Sequence, residues 1–299
     1  MASALQMTLA RQTAESLVRK LGLSSLPIDP FLIAEKHSIL VEAKPDTAEG
    51  VSGMLLRYGD MFCILYATHI PNDGFQRFSI AHELGHYFLD GHIDHVLVDG
   101  QAHLSRAGFA SGDSYELEAD HFAAGLLMPS QLFCAAQAKH EPGLPAIETL
   151  ADLCRTSLTA TAIRYAELTG ESVAVVMSTG LQVDFCRMSE TMKSKGHFDW
   201  IKRADPVPRN TATYRFNSDV DRIARAERDV CDIDIVEWLG GDRSIPGIEE
   251  VIGLGRYGKT LTVLTCPTLE EVAEEEEVAE VEEDMVTRWA RRSQRESPR

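Results

Sequence analysis

The segment His82-Glu83-Leu84-Gly85-His86 has the residue types and spacing of a metal-dependent hydrolase. On a helix, residues four apart lie on one face, so both histidines can offer a ring nitrogen to one metal ion. Glu83 follows the first histidine and can accept a proton from a water that the metal activates, which is the chemistry that amide hydrolysis requires. The pattern therefore predicts a Zn²⁺ site with His82 and His86 as ligands and Glu83 as the catalytic base.

A catalytic zinc needs a third protein ligand, and a second acidic helix supplies a candidate. Glu116 and Asp120 are four residues apart within 115–124, so they can share one helix face. We expect Glu116 to bind the metal and Asp120 to accept a hydrogen bond from the far nitrogen of a ligand histidine. Glu118 is the competing ligand, but it has no acidic partner four residues on, and we expect it to face solvent or an Arg or Lys side chain.

His92 is the other alternative for the third ligand. It lies six residues after His86, as in the metzincin pattern, but Leu89 stands where that pattern requires glycine. We therefore expect an exposed histidine past the end of the helix. The remaining histidines have no partner at ligand spacing, and we expect none of them to bind the metal: 37, 69, 95, 103, 121, 140 and 197.

Apolar periodicity indicates which elements would position these residues. It predicts helices over 8–21, 30–37, 75–89 and 115–127, and short strands over 39–41, 53–57 and 61–67. The last two strands flank a turn and predict a hairpin. The two helices that carry the ligand candidates must then pack against each other and against this small sheet.

Beyond these elements the predicted secondary structure of the chain changes. A peptidase-like region over 1–140 is followed by a helical segment over 141–169, and then by strand-rich sequence over 170–268 that predicts a mixed α/β domain. The string from Gly253 to Thr260 matches the Walker A spacing, but the strand that we expect after it indicates a glycine-rich turn. We expect 269–299, which begins with a glutamate run, to be disordered.

The charge and the cysteines restrict the possible partners and location. The net charge is −17, and residues 270–299 account for −6 of it, with eleven acidic and five basic residues. The acidic remainder does not favour direct binding to DNA. No signal peptide or membrane span is recognisable, and the six cysteines are scattered, which is typical of reduced thiols in the cytoplasm. The sequence does not indicate an oligomeric state.

Four stretches together resemble the ImmA/IrrE family of metallopeptidases: 27–41, 51–67, 76–89 and 115–129. The E-x-x-A-[ND] element of that family matches Glu116, Ala119 and Asp120. The resemblance implies an α+β, zincin-like (gluzincin-like) fold with an edge strand along the cleft, to which 53–57 or 61–67 could correspond. An extended peptide would pair with that strand.

The resemblance also implies a function. Characterised family members cut helix-turn-helix (Xre-like) transcriptional repressors and so release stress-response or mobile-element genes. Some members carry a helix-turn-helix-like unit after the peptidase domain, which 148–169 resembles, and a GAF-like sensor domain at the C-terminus. The alternative is a non-hydrolytic, zinc-containing regulator that binds a repressor or DNA. An intact base at position 83 favours the peptidase.

Overall fold

The computed structural model describes residues 4–44, 51–69, 72–97, 102–105, 113–195, 198–241 and 244–269. The chain is of the α+β class and divides into two compact units. The first comprises Met1–Glu141 and Pro145–Tyr165, and the second Pro142–Leu144 and Ala166–Arg299. In the described residues, no helix is both long and apolar enough to cross a membrane. The expected disorder of 269–299 concerns residues that, Leu269 apart, lie outside the described part of the chain.

Eight helices and four strands are described as far as residue 168. The helices are α1 (Ala4–Lys20), α2 (Pro30–Lys36), α3 (Asp73–Phe88), α4 (His92–Val96), α5 (Ser114–Leu127), α6 (Ser130–Gln137), α7 (Leu144–Cys154) and α8 (Leu158–Leu168). The strands are β1 (Leu40–Lys44), β2 (Gly53–Tyr58), β3 (Met61–Ala67) and β4 (Ala102–Ser105).

The four strands form one mixed sheet in the order β1-β3-β2-β4. β2 and β3 form the predicted antiparallel hairpin, β1 runs parallel to β3, and β4 runs antiparallel to β2. The expectation that 53–57 or 61–67 supplies the edge strand is therefore wrong. Each of these strands has a neighbour on both sides, and in the described residues the edges are β1 and β4.

Helix α3 packs against β2, β3 and α5. It begins after Asn72, whose side chain accepts a hydrogen bond from the Phe75 amide, as an N-cap residue does. A Cβ atom added to Gly85 would lie 3.1 Å from the Cα atom of Ala119 in α5. The absence of a side chain at residue 85 thus lets the two helix backbones approach closely, which brings the facing polar side chains of both helices together.

The helical pair α7 and α8, with the turn between them, carries two basic residues, and both form contacts within the first unit. Arg155 forms two hydrogen bonds with the Asp73 carboxylate, at 3.0 and 2.8 Å. Arg164 is buried and donates to Glu15 and to Ser130, each at 2.9 Å. Both guanidinium groups therefore hold this helical pair to the helices of the first unit.

The second unit is built on a five-stranded antiparallel sheet with the order β6-β5-β9-β8-β7. Its strands are β5 (Val173–Thr179), β6 (Gln182–Met188), β7 (Arg228–Asp234), β8 (Pro246–Gly253) and β9 (Lys259–Thr265), and its helices are α9 (Glu190–Lys195), α10 (Ala212–Asn217), α11 (Val220–Ala224) and α12 (Val236–Leu239). A single 3₁₀ turn, Gly255–Tyr257, joins β8 to β9. The Walker A-like string is thus a strand-to-strand turn, since no helix follows it.

Candidate metal centre

Three side chains from α3 and α5 place their donor atoms around one point. The Nε2 atoms of His82 and His86 lie 3.1 Å apart. Glu116 places Oε2 at 3.4 Å from His82 Nε2 and Oε1 at 3.2 Å from His86 Nε2. All three residues are buried, and together they form a group that could hold a metal ion.

The spacing of these atoms fits tetrahedral zinc. Zinc bonds to nitrogen and carboxylate oxygen of 2.0–2.1 Å would place neighbouring ligands of a tetrahedron about 3.3 Å apart. The three observed distances fall on both sides of that value. Two imidazoles and one carboxylate are also a donor set of catalytic zinc sites, which leave one position open.

Asp120 lies one helical turn after Glu116 and contacts His82 from behind. Its Oδ1 atom is 2.8 Å from His82 Nδ1, the ring nitrogen that faces away from the metal-binding group. A proton on Nδ1 that is donated to Asp120 leaves the lone pair of Nε2 directed at the metal position. The structure thus brings together His82 and Asp120, as the spacing on the two helices predicts.

Burial and hydrogen bonding set the protonation of this group. Burial alone would lower the pKa of His82, but hydrogen bonds with Asp120 and Glu116 raise it to about 10. Burial lowers the pKa of His86 to about 4. For Glu116, burial opposes ionisation, but hydrogen bonds from His103, His82 and His86 outweigh it and hold the pKa well below its usual range. The carboxylates of Asp120 and Glu116 therefore favour a positive charge at this position, which a bound metal ion could supply in place of a proton.

Glu83 lies beside this group and is fully buried. Neither of its carboxylate oxygens has a hydrogen-bond partner among the described residues, although the nearby Ser105 hydroxyl acts to lower its pKa. Burial is the largest effect and raises the pKa of Glu83 to about 7, against the opposing charge of His82. A buried carboxylate without a partner is costly, and such groups occur where function requires a proton acceptor.

Gly53 of β2 supplies the space that Glu83 occupies. A Cβ atom at this position would collide with Glu83 Oε1 and lie 3.2 Å from its Cδ. Any side chain at position 53 must therefore displace the carboxylate of Glu83.

We expect Gly53→Ala to reduce peptide cleavage while zinc affinity stays unchanged, because it moves Glu83 and none of the three donors. A displacement of about 1 Å at a reacting group can cost about 100-fold in rate. Steady-state kinetics with the metal content measured would check this. Gly170→Ala is the control, because a Cβ there meets nothing within 4 Å. Equal activity of both variants would contradict the positioning by Gly53.

His92 and Glu118 are placed differently from either expectation. His92 is neither a member of the metal-binding group nor exposed: its side chain is 1% accessible, and its Nδ1 atom lies 3.1 Å from His86 Nδ1. Glu118 is only 16% exposed and contacts an imidazole instead of an Arg or Lys side chain, since its Oε2 atom lies 3.3 Å from His92 Nε2. Both expectations fail because α4 folds back onto the end of α3.

His103 is a site residue that the sequence does not reveal. It lies on β4, its Nε2 atom is 2.8 Å from Glu116 Oε1, and its ring centroid is 4.9 Å from that of His86. Its side chain is 20% exposed, so it stands at the rim of the group. Position 103 has no ligand-like spacing in the sequence, and a strand of four residues is too short to be recognised by alternation. Only the pairing of β4 with β2 brings it here.

A family model matches the part of the chain that carries this site. Residues 34–165 match the Peptidase_M78 family model, described as an IrrE N-terminal-like domain. A search of curated proteins found no match. A solved transcriptional regulator of Mycobacterium tuberculosis is similar, with a TM-score of 0.53 and 16% identity over 88% of this chain and 90% of that one. At that identity the likeness concerns the fold alone. Residues 34–165 therefore correspond to a Peptidase_M78 domain, and the expected resemblance to the ImmA/IrrE family is confirmed over these residues.

Proposed function

We propose that this chain is a zinc-dependent endopeptidase. The observation that carries the proposal is the placement of two imidazole nitrogens and one carboxylate at tetrahedral spacing, next to the buried carboxylate of Glu83. His82, His86 and Glu116 would hold the zinc. A site that served structure alone would gain nothing from a buried proton acceptor beside it.

Zinc in such a site supplies Lewis acidity, which lowers the pKa of a water from 15.7 to about 7. Glu83 takes the proton of the attacking water and then delivers it to the amine that leaves. Its raised pKa, about 7, suits both steps, because a group that titrates near the working pH can accept a proton and give it back. Asp120 holds His82 in the tautomer that keeps Nε2 free of a proton.

His103 would stabilise the negative charge that develops on the substrate carbonyl oxygen. Its Nε2 atom bonds to Glu116 at the exposed rim, so a small movement of the ring directs its N–H towards a bound peptide. We expect His103→Ala to lower kcat by about 10²–10³-fold, the cost of removing one such donor.

The His103→Ala assay is made with zinc at saturation, because loss of the bond to Glu116 could also weaken metal binding. Restoration of part of kcat by His103→Gln, which keeps an N–H donor, would support the assignment. Full kcat of His103→Ala at saturating zinc would show that the residue only supports Glu116.

We propose a helix-turn-helix (Xre-like) transcriptional repressor as the protein substrate. The Peptidase_M78 match and the resemblance to the ImmA/IrrE family support this, since characterised members of that family cut such repressors. The edge strand β4 supports an extended substrate: it carries His103 and Ser105 on the face directed at the site, and in the described residues its other edge has no strand. A peptide segment could therefore add to β4 through main-chain hydrogen bonds.

The organisation of the chain forms part of the proposal. A zincin-like peptidase domain spans 1–140, a helix-turn-helix-like segment 141–169, a GAF-like sensor module 170–268, and an acidic tail 269–299. The internal ion pairs of Arg155 and Arg164 support a packing role for the helical segment, with no direct contact to DNA. We place the protein in the cytoplasm, where cleaving a repressor would de-repress stress or mobile-element genes.

The test is incubation of the purified, zinc-loaded chain with helix-turn-helix repressors encoded near its gene, with and without a chelator, read by mass spectrometry. A defined cut that the chelator abolishes supports the proposal and identifies the substrate. A stable repressor complex without cleavage, while zinc is bound, would favour the non-hydrolytic regulator.

A further inference from the structure

We propose that His92 and Glu118 are positioning residues that hold His86 in its metal-binding orientation. The inference rests on the proposed metal centre and extends it to two residues that are not ligands. It concerns a hydrogen-bonded chain that runs from His86 through His92 to Glu118, which we call the His86 relay.

The contacts of the His86 relay are continuous, and its two histidines are buried. His86 Nδ1 lies 3.1 Å from His92 Nδ1, and His92 Nε2 lies 3.3 Å from Glu118 Oε2. The His92 ring packs between two others, with centroid distances of 5.2 Å to His86 and 4.9 Å to Tyr115. The ring is thus held in place on both sides.

Metal binding by His86 determines every proton in the relay. If His86 Nε2 offers its lone pair to a metal, its single proton lies on Nδ1 and must be donated to an acceptor. His92 Nδ1 accepts that proton, so the proton of His92 lies on Nε2. This second N–H is donated to Glu118, whose carboxylate can only accept. Each nitrogen has one role, and the arrangement ends at a charged acceptor.

The relay parallels the support of His82. Helix α5 presents acidic side chains at alternate positions, namely 116, 118 and 120. Asp120 orients His82 directly, whereas Glu118 reaches His86 through an intervening imidazole. His92 can stand there because Gly91 adopts a left-handed conformation with φ of 78°, which turns the chain and starts α4 against α3.

Outer partners of this kind typically change metal affinity by 10–100-fold when they are removed. We therefore expect His92→Phe to weaken zinc binding by about 10–100-fold, since it leaves the His86 N–H buried without an acceptor. His92→Gln places an amide oxygen near the same position and should recover most of the affinity. Glu118→Gln keeps an acceptor but loses the charge, so we expect about a 10-fold loss.

The matched control is His95→Phe. His95 lies on the same short helix, stacks on Tyr115 at 3.8 Å, is 47% exposed, and in the described part of the chain does not contact the metal-binding group. Zinc dissociation constants would be measured by competition with a chelator. The absorption spectrum of the Co²⁺-substituted protein reports ligand geometry independently of activity, and we expect it to change in His92→Phe and not in His95→Phe.

The outcomes separate this inference from the proposed function. Failure of the native chain to bind zinc or Co²⁺ would overturn the metal centre itself. Normal binding by the native chain, with affinity and Co²⁺ spectrum unchanged in both His92→Phe and Glu118→Gln, would overturn only the relay. Circular dichroism would show whether His92→Phe folds. If it does not fold, the zinc affinities of the native chain, His92→Gln and Glu118→Gln are compared instead. Three equal affinities would refute the relay.

Discussion

Glu83→Gln is expected to keep zinc and to lose peptide cleavage. Glutamine has nearly the same shape, so it fits the space beside Gly53, but its amide cannot accept the proton of the attacking water. Removal of a general base costs about 10²–10⁴-fold in rate. The donors of His82, His86 and Glu116 are untouched, so metal content should remain that of the native chain.

The measurement pairs metal analysis with cleavage kinetics, and native activity at equal zinc content is the reference.

The pH dependence of cleavage by the native chain is a second test of the role of Glu83. Glu83 acts as a base only when ionised, and burial raises its pKa to about 7. kcat/KM should therefore fall as the pH drops through that value, or through a lower one because a bound cation favours the carboxylate. Undiminished cleavage by Glu83→Gln would remove Glu83 from the mechanism.

Glu116→Ala is expected to weaken zinc binding far more than Glu118→Ala. The first substitution removes one of three donors, which lie within 4.8 Å of one another, whereas the second removes only the end of the His86 relay. We expect a loss of more than about 100-fold for Glu116→Ala, beyond the range typical of residues that support a ligand.

Zinc-dependent stabilisation offers a direct readout of this difference. A ligand at 100 times its dissociation constant stabilises a folded protein by about 2.7 kcal/mol, so the native melting temperature should rise with added zinc. A 10-fold loss of affinity in Glu118→Ala would leave about half of this stabilisation, about 1.4 kcal/mol, whereas Glu116→Ala should show almost none at the same zinc concentration. Equal losses in the two variants would mean that Glu116 is not the third ligand.

The parts of the site that local periodicity controls could be predicted from the sequence. Residues three or four apart on a helix share a face, so His82 with His86, and Glu116 with Asp120, had to form two opposed pairs once α3 and α5 packed together. Family resemblance provided the reason to expect that packing. The close contact at Gly85 is how the chain achieves it.

The parts of the site that depend on distant segments folding back onto it could not be predicted. His92 reaches His86 only because α4 folds back, and this buries a histidine that the sequence pattern places in solvent. His103 reaches Glu116 only because a four-residue strand adds to β2, and the same addition makes β2 an interior strand. In both cases the contact is made by a short element, α4 or β4, whose sequence shows no apolar periodicity from which it could be predicted.

The ion pairs of the α7–α8 helical segment determine how its association with a partner would depend on ionic strength. Proteins that hold nucleic acid through lysine and arginine displace counterions, and log K falls with log salt at a slope of about −0.9 for each phosphate neutralised. Arg155, in the turn between the two helices, and Arg164, in α8, are the only basic residues of this segment, and they already form ion pairs with Asp73 and Glu15. Any association made by these helices should therefore depend little on salt, which is the signature of a protein contact and not of a phosphate contact.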